Sequence, residues 1–406
     1  MTINQNPVTD EPGLRRVAER PVVVTKLGNA GGAKGPWFKV NARSGNSREI
    51  GVSLLPPTKV GQLQAALQAK AKESPDYRFY ALYDKVYRLD VLWHAYRVCQ
   101  LNDGSPGVDG QTYEDIEAYG RMKWLGELAE ELRTRRYRPA AVRRVHIPQP
   151  GKPGQTRPLG IPTITDRVVM TAAMLVLEPN FEADLQPEQY AYLPQRSALD
   201  AVTQVDALLH AQHQEVIDAD LSGYSDSIPH AELMKSVTRR ISDRQVLRLI
   251  KMWFVAPVEE TDERGRQHRT SRNKDTGRGT PQGAPISPLL SNLYMRRFIL
   301  GWKVWGYEQC FQAKIVNYAD DLVICCRRGA EQAMDAMRGI FGKGPVGKPY
   351  RIVTRHAARR LRRWLCQKHK VQRRQAITRY PDQYLHHELG RVRLYLWQRN
   401  VPWAKA

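Results

Sequence analysis

Apolar residues recur at helical spacing in three parts of the chain. The runs from Leu89 to Cys99 and from Trp124 to Leu132 predict two amphipathic helices. The first should end at the turn-forming residues 102–107. A third helix is predicted for Asp166–Leu177, and we expect it to stop before Pro179 because proline breaks the helical hydrogen-bond ladder.

Short apolar runs bounded by turn residues predict strands between these helices. Val142–Ile147 and Gln155–Ile161 predict two strands joined by a turn. Glu215–Asp220 predicts a strand that ends on a carboxylate, and Lys314–Arg328 predicts a strand pair interrupted by Asp320-Asp321. Because helices and strands alternate without a strict βαβ rhythm, the fold class expected is α+β.

Composition divides the chain into five segments. Residues 1–75 are rich in Gly, Pro, Asn and Ser and are expected to be largely disordered, with order beginning near Tyr77. A glycine- and proline-rich break follows residue 341. The remaining divisions are 76–215, 216–341, a linker at 342–354, and a basic helical segment at 355–406.

The chain is strongly basic, with 63 Lys and Arg against 41 Asp and Glu, a net charge of +22. Such an excess favours an anionic partner, either nucleic acid or a membrane surface. No apolar run reaches the ~20 residues that span a bilayer, and the polar N-terminus does not resemble a secretory signal. Nucleic acid is therefore the favoured partner, and a cytoplasmic location is expected. Five irregularly spaced cysteines predict neither a disulfide framework nor a zinc ribbon.

The acidic residues at the predicted strand ends suggest a metal site. Asp320 and Asp321 cut a long apolar run, and Asp220 ends a strand about 100 residues earlier. Adjacent carboxylates repel one another unless a cation neutralises them, and oxygen ligands suit magnesium. Two-metal phosphoryl transfer needs carboxylates that bridge two ions. The simpler alternative is that Asp-Asp forms an ordinary hairpin turn.

Several motifs resemble, in order, those of group II intron-encoded reverse transcriptases. Tyr318-Ala319-Asp320-Asp321 resembles their catalytic hairpin. Residues 279–292, which contain Pro281-Gln282-Gly283, are similar to their fourth conserved motif. Four more stretches match in turn: 105–110, 157–167, 195–197 and 220–224. The resemblance covers roughly residues 80–340 and the C-terminal segment. It implies right-hand polymerase fingers and an antiparallel palm sheet.

The resemblance also implies roles for individual residues. Asp220, Asp320 and Asp321 would hold two Mg²⁺ ions for catalysis, whereas Asp218 and Asp226 are not assigned to the site. Lys152, Arg157, Ser225 and Gln282 would lie at the nucleotide. Lys152 and Arg157 flank the fingers turn, where cations suit a triphosphate. General contact with a phosphate backbone is the alternative for these two.

Two departures from the family pattern stand out. The family places an aromatic ring five residues after the aspartate at 220, where it blocks a ribose 2′-hydroxyl, but this chain has Ser225. Tyr224 precedes Ser225, but side chains alternate along a strand, so Tyr224 would lie on the face opposite to Ser225. The lysine-bearing strand and Phe-Leu-Gly motif that follow the hairpin in the family are also missing. An internal deletion of the last palm motifs and most of the thumb would explain this. It would leave a palm edge uncovered.

The segment after the break has the composition of an RNA-binding helix. Residues 343–379 contain 13 Lys or Arg, and Leu361, Trp364 and Leu365 form one apolar stripe. The cations expected to contact RNA phosphates are Arg359, Arg360, Arg362 and Arg363. A solvated charged helix is the alternative. By resemblance, this part is a short maturase remnant that binds intron RNA.

The function predicted is RNA-directed DNA polymerase and intron RNA-binding maturase, involved in intron splicing and mobility. The expected partners are group II intron RNA, an RNA template with a DNA primer, and deoxyribonucleoside triphosphates. The alternative is a catalytically impaired remnant that acts only as an RNA-binding splicing factor. The sequence does not indicate an oligomeric state.

Overall fold

The computed structural model describes most of the central part of the chain. The described residues are 56–148, 156–221, 223–261, 266–280 and 283–343, with three two-residue strands outside them. The helices in these ranges are α1 Thr58–Glu73, α2 Tyr83–Val86, α3 Leu89–Leu101, α4 Tyr113–Tyr119, α5 Arg121–Arg133, α6 Ile164–Glu182, α7 Ala198–His210, α8 Tyr224–Ser227, α9 His230–Thr238, α10 Arg244–Phe254, α11 Arg272–Thr276, α12 Ser287–Val304, α13 Tyr307–Cys310 and α14 Ala330–Lys343.

The described strands form two four-stranded sheets and one small ribbon. They are β1 Val24–Thr25, β2 Lys39–Val40, β3 Val142–Pro148, β4 Thr156–Ile161, β5 Glu215–Asp220, β6 Val258–Thr261, β7 Gln267–Thr270, β8 Ala313–Tyr318, β9 Asp321–Cys326 and β10 Arg393–Leu394. The first sheet, which we call the fingers sheet, has the order β4-β3-β6-β7, and the second, the palm sheet, has the order β10-β5-β9-β8. The mixed helix and strand content agrees with the α+β class predicted.

The palm sheet is antiparallel across β5, β9 and β8 and is covered on both faces. On one face, Val216, Val316 and Cys325 pack with Leu208 of α7 in a small cluster. The other face belongs to the main core, which also holds α12 and α14. At the β5 edge, β10 runs parallel to Glu215 and Val216. The β5 edge of the sheet is therefore paired at these two residues.

Two sequence predictions about the N-terminal half were wrong. Helix α1 lies inside the segment expected to be disordered, and its Val60, Leu67 and Ala71 are buried. Order therefore begins well before Tyr77. The ribbon of β1 and β2 also lies within that segment.

The second error concerns α6, which continues through Pro179 to Glu182. Pro179 has no N–H to bond the carbonyl of Leu175, but Gln64 Nε2 of α1 donates to that oxygen at 3.1 Å. One residue later, Asn180 Nδ2 donates to Val176 O at 2.7 Å. Two side chains thus provide donors where the helix would otherwise end.

Other predicted elements were confirmed. The helices through Leu89 and Trp124 and the predicted strands are present, with ends within three residues of those predicted. Helix α14 runs two residues into the predicted linker and ends at Lys343. The remainder of that linker and the basic segment, apart from β10, lie outside the described residues. No helix in the described part is long and apolar enough to cross a membrane.

Candidate active site

A tight hairpin carries Asp320 and Asp321 at the end of the palm sheet. Tyr318 of β8 pairs with Asp321 of β9, so Ala319 and Asp320 form a two-residue turn. Ala319 has φ +58°, the left-handed value that the first central residue of a primed hairpin turn needs. A non-glycine residue in this conformation costs about 1–2 kcal/mol, so the turn requires support from neighbouring groups.

Asn317 provides that support. Its side chain is completely buried, and its Nδ2 donates to Ala319 O at 2.9 Å and to Asp321 O at 3.0 Å. Its backbone N–H donates to Glu188 O at 2.8 Å, while its carbonyl accepts from Tyr190 N at 2.9 Å. The hairpin is therefore fixed both from inside the turn and from the loop beside it.

Strand β5 brings Asp220 to the same place. In the antiparallel register, Asp220 lies directly opposite Asp321, and Ala219 lies opposite Leu322. Cα atoms of such partners are about 4.5–5.5 Å apart. The backbone of Leu221 also donates to Asp320 O at 3.1 Å. The structure thus brings the backbones of the three predicted metal ligands together, although they are 100 residues apart in sequence.

The chemistry of these donors fits a hard divalent cation. Asp320 and Asp321 are only partly buried, and carboxylate oxygens are the ligands that Mg²⁺ prefers. Among the side chains described, no three acidic, histidine or cysteine groups form a metal-binding cluster. The Asp220 side chain is outside that description, so its assignment depends on the strand register. When bound, Mg²⁺ would supply charge neutralisation at the reacting phosphate.

The segment after β5 differs from the alternation predicted for it. Gly223 has φ +65°, and residues 224–227 form the short helix α8 instead of an extended strand. The side chain of Tyr224 nevertheless points towards α12, because its buried hydroxyl donates to Ser291 O at 3.0 Å. Burial raises the pKa of Tyr224 well above its ordinary value. The argument from alternation was wrong, although Tyr224 still does not replace the missing ring at Ser225.

Ser225 is joined through its backbone to the segment that precedes Gln282. Thr280 N donates to Ser225 O at 2.8 Å, and Gly279 N donates to Ile228 O at 2.9 Å. His230 Nε2 lies 2.8 Å from Gly279 O, and the His230 ring stacks on Phe254. Burial lowers the pKa of His230, which favours a neutral ring that donates from this nitrogen. Gln282 itself lies outside the described residues.

Gly283 brings this segment against the fingers sheet. It has φ +81°, and a Cβ atom here would collide with the carbonyl oxygen of Gly160 in β4. Only glycine permits both the conformation and the close approach. The segment that follows Gln282 therefore packs directly against β4 at Gly283.

The fingers turn is only partly described. Strands β3 and β4 pair antiparallel, with Arg157 opposite Ile147. Lys152 lies outside the described residues, as does the side chain of Arg157. The four predicted RNA contacts, Arg359, Arg360, Arg362 and Arg363, also lie outside them.

Sequence reasoning missed the residues that support the hairpin from the side. Arg196 Nη1 donates to Pro187 O at 2.6 Å and to Gln189 O at 2.7 Å, and its guanidinium lies over the Tyr190 ring. It therefore holds the loop that binds Asn317. The motif at 195–197 was recognised, but nothing in its local sequence shows which distant carbonyls it binds.

A second long-range contact ties another pair of motifs together. Arg167 donates to Gly104 O at 3.0 Å and to Ser105 O at 2.7 Å. A Cβ at Gly107 would lie 2.6 Å from the Cα of Thr163. The motif at 105–110 is thus packed on the start of α6, and its described contacts are structural.

Comparison with known proteins finds a reverse transcriptase domain in the middle of the chain. Residues 147–344 match the reverse transcriptase (RNA-dependent DNA polymerase) family. Protein YkfC of Escherichia coli K12 is 33% identical over 245 residues, covering 59% of this chain and 61% of that protein. Group II intron-encoded protein LtrA of Lactococcus lactis subsp. cremoris is 27% identical over 241 residues, covering 59% of this chain and 38% of LtrA.

A solved Cas6-RT-Cas1–Cas2 complex aligns with a TM-score of 0.35 at 17% identity, covering 76% of this chain and 47% of that one. This score is too low to support an argument. The chain spans about three-fifths of the length of YkfC and about two-fifths of LtrA. Residues 147–344 therefore form a reverse transcriptase domain, and the proteins similar to this chain include group II intron-encoded proteins.

Proposed function

We propose that this chain is an RNA-directed DNA polymerase that also binds intron RNA as a maturase. The observation that carries the proposal is the register that sets Asp220 opposite Asp321 beside the Ala319-Asp320 turn. In this proposal the three aspartates hold two Mg²⁺ ions, while Lys152, Arg157, Ser225 and Gln282 contact a deoxyribonucleoside triphosphate. The template is RNA and the primer is DNA, and the location is the cytoplasm.

Primer extension tests the catalytic assignment. The full chain is given an RNA template, a DNA primer, Mg²⁺ and deoxyribonucleoside triphosphates, and Asp320→Asn is compared with wild type. Incorporation should fall at least about a hundredfold, because a lost metal ligand removes several kcal/mol of charge stabilisation. Asp335→Asn is the matched control, since Asp335 is an exposed residue of α14 that pairs with Arg338. Equal incorporation by Asp320→Asn and wild type would contradict the proposal.

Ser225 favours a second candidate, an RNA-binding splicing factor without polymerase activity. Serine is too small to support the sugar of an incoming nucleotide. The family match ends at residue 344, while the chain continues to residue 406 without the expected thumb motifs. We propose that an internal deletion accounts for this. Intron RNA binding with no incorporation by wild type would favour the splicing factor.

A comparison of nucleotides tests the role of Ser225. Without the aromatic ring, discrimination against ribonucleotides should be weak, and Ser225→Phe should restore it. Strong preference of the wild type for deoxyribonucleotides would contradict this expectation. The ratio of incorporation rates for the two nucleotide types is the measurement.

A further inference from the structure

Helix α10 presents a row of cations on the side away from the core. Arg244, Arg248 and Lys251 are four and three residues apart, so they share one face of the helix. Arg244 and Lys251 are exposed, and Arg248 is partly exposed. The opposite face is apolar and includes the fully buried Trp253. The helix is therefore fixed, while its charged face remains open.

The turn after α5 adds a fourth cation next to this row. Tyr83 N donates to Oδ2 of Asp243, the residue just before Arg244, at 2.8 Å. The Tyr83 hydroxyl donates to Leu132 O at 2.6 Å, and Arg135 N donates to the same oxygen at 2.9 Å. Tyr83 thus connects the start of α10 to the turn that carries Arg135.

An exposed aromatic ring lies beside the same helix start. Tyr80 is 70% exposed, although its neighbours on both sides are attached to the residues preceding α10. Phe79 pairs with Ile241, and Leu82 N donates to Asp243 Oδ2 at 2.8 Å. The backbone at Tyr80 is therefore held beside the start of α10, and the Tyr80 ring is exposed there.

These cations have no acidic partner in the part of the chain that the structure describes. Arg135, Arg244, Arg248 and Lys251 make no ion pair or side-chain hydrogen bond with the described residues. Asp243 is buried and caps α10 through Gln245 N at 2.9 Å and Val246 N at 3.2 Å. The four cations of this surface are therefore not engaged in ion pairs with the described residues.

We propose that this α10 basic surface, formed by Tyr80, Arg135, Arg244, Arg248 and Lys251, binds a single-stranded segment of RNA. Cations ~6 and ~4.5 Å apart along a helix axis suit a chain of phosphates. An exposed ring beside them suits an unpaired base, which stacks on aromatic side chains. Binding here does not require catalysis, so it is independent of the proposed polymerase activity.

Fluorescence anisotropy with a fluorescein-labelled 20-nucleotide oligouridylate tests the phosphate contacts. The triple variant Arg244→Gln, Arg248→Gln, Lys251→Gln should bind about tenfold more weakly at 0.1 M KCl. Its slope of log K against log[KCl] should be less steep by about 2, since each single-strand phosphate contact contributes about 0.7.

A control variant removes the same formal charge from other surfaces. It combines Arg121→Gln, Lys235→Gln and Lys314→Gln, whose cations pair with Glu117, Glu232 and Glu308. It should bind within about twofold of wild type. Equal weakening by both triple variants, or no weakening by either, would overturn the proposal. Thermal unfolding of both variants checks that they are folded.

Tyr80→Ala tests the base contact. It should weaken oligouridylate binding about fivefold, the low end of the range for one stacked base. Tyr119→Ala, at a second exposed tyrosine, is the control and should have little effect. Two results would assign the surface to other ligands and overturn the proposal. One is that the triple variant Arg244→Gln, Arg248→Gln, Lys251→Gln loses binding to phosphatidylserine vesicles while its binding to oligouridylate is unchanged. The other is that this variant loses binding to duplex RNA while its binding to oligouridylate is unchanged.

Discussion

Arg240 and Asn317 are both buried polar side chains, but they are satisfied to different degrees. All three guanidinium nitrogens of Arg240 have partners. Nε and Nη2 donate to Asp184 at 2.8 and 2.7 Å, Nη2 also donates to Ala71 O at 2.9 Å, and Nη1 donates to Ser74 O at 2.8 Å. Asn317 uses its N–H donors, but its Oδ1 accepts no hydrogen bond from the described residues.

The difference separates an anchor of the fold from a support for the site. Arg240 ties the end of α1 to the loop after α6, so its complete set of partners serves stability. Asn317 donates directly to two carbonyls of the turn, and one unsatisfied acceptor is the cost of that position. Changes at Arg240 should therefore affect unfolding first, and changes at Asn317 should affect activity first.

The largest effect is expected from Arg240→Met. Asp184 would be left as a buried, unpaired charge, and such a loss typically costs 3–5 kcal/mol, about the upper range for single substitutions. Urea unfolding measures it. Arg133→Met is the matched control, because Arg133 forms the same two-bond pair with Glu130 at 2.6 and 2.7 Å but is exposed. That change should cost less than about 1 kcal/mol. Equal costs would remove the distinction based on burial.

Asn317→Ala should separate activity from stability. Two carbonyls of the turn lose their donor, which costs about 1–3 kcal/mol in unfolding free energy. Nucleotide incorporation should fall about tenfold or more, because small displacements of positioned groups have large effects on rate. Asn317→Asp keeps the shape without the N–H donors and should behave similarly.

If Asn317→Ala lowers the free energy of unfolding but the folded variant incorporates nucleotides at the wild-type rate, this interpretation is contradicted. Asn102→Ala is the control for a lost side-chain hydrogen bond elsewhere. Asn102 Nδ2 donates to Val98 O at 2.9 Å, at the end of α3. It should alter stability slightly and incorporation not at all.

The local pattern predicted most of the central elements because their cues lie within a few residues. The strand that ends at Asp220 and the pair around Asp320 are short apolar runs with clear ends, and the register then follows. The missed features depend on distant partners. Helix α1 has little amphipathic character, and its packing depends on contacts of Arg240 and of Gln64 with residues more than 100 positions away. A pattern read over ten or fifteen residues cannot contain them.

Gln64→Ala tests the explanation for the helix that continues through Pro179. Leu175 O would lose its donor, and we expect a cost of about 1 kcal/mol. In a Pro179→Ala background, residue 179 regains an N–H for that carbonyl, so Gln64→Ala should then cost less. A double-mutant cycle in urea unfolding measures the difference. Equal costs in both backgrounds would show that Gln64 stabilises α1 by packing alone.

Near pH 5, Glu178→Gln is expected to change the free energy of unfolding least. Unlike the other substitutions, it should stabilise the protein. Glu178 is buried in α6, its Oε1 has no partner among the described residues, and burial raises its pKa well above the ordinary 4.5. Above pH 4.5 the unfolded chain loses this proton while the folded chain keeps it, so the wild type loses stability as pH rises. Glutamine carries no such proton. The variant should gain stability relative to wild type progressively from pH 5 to pH 8, measured by urea unfolding at each pH. A difference that stays constant across this range would mean that Glu178 is ionised in the folded protein and paired with a cation, as Asp184 is with Arg240.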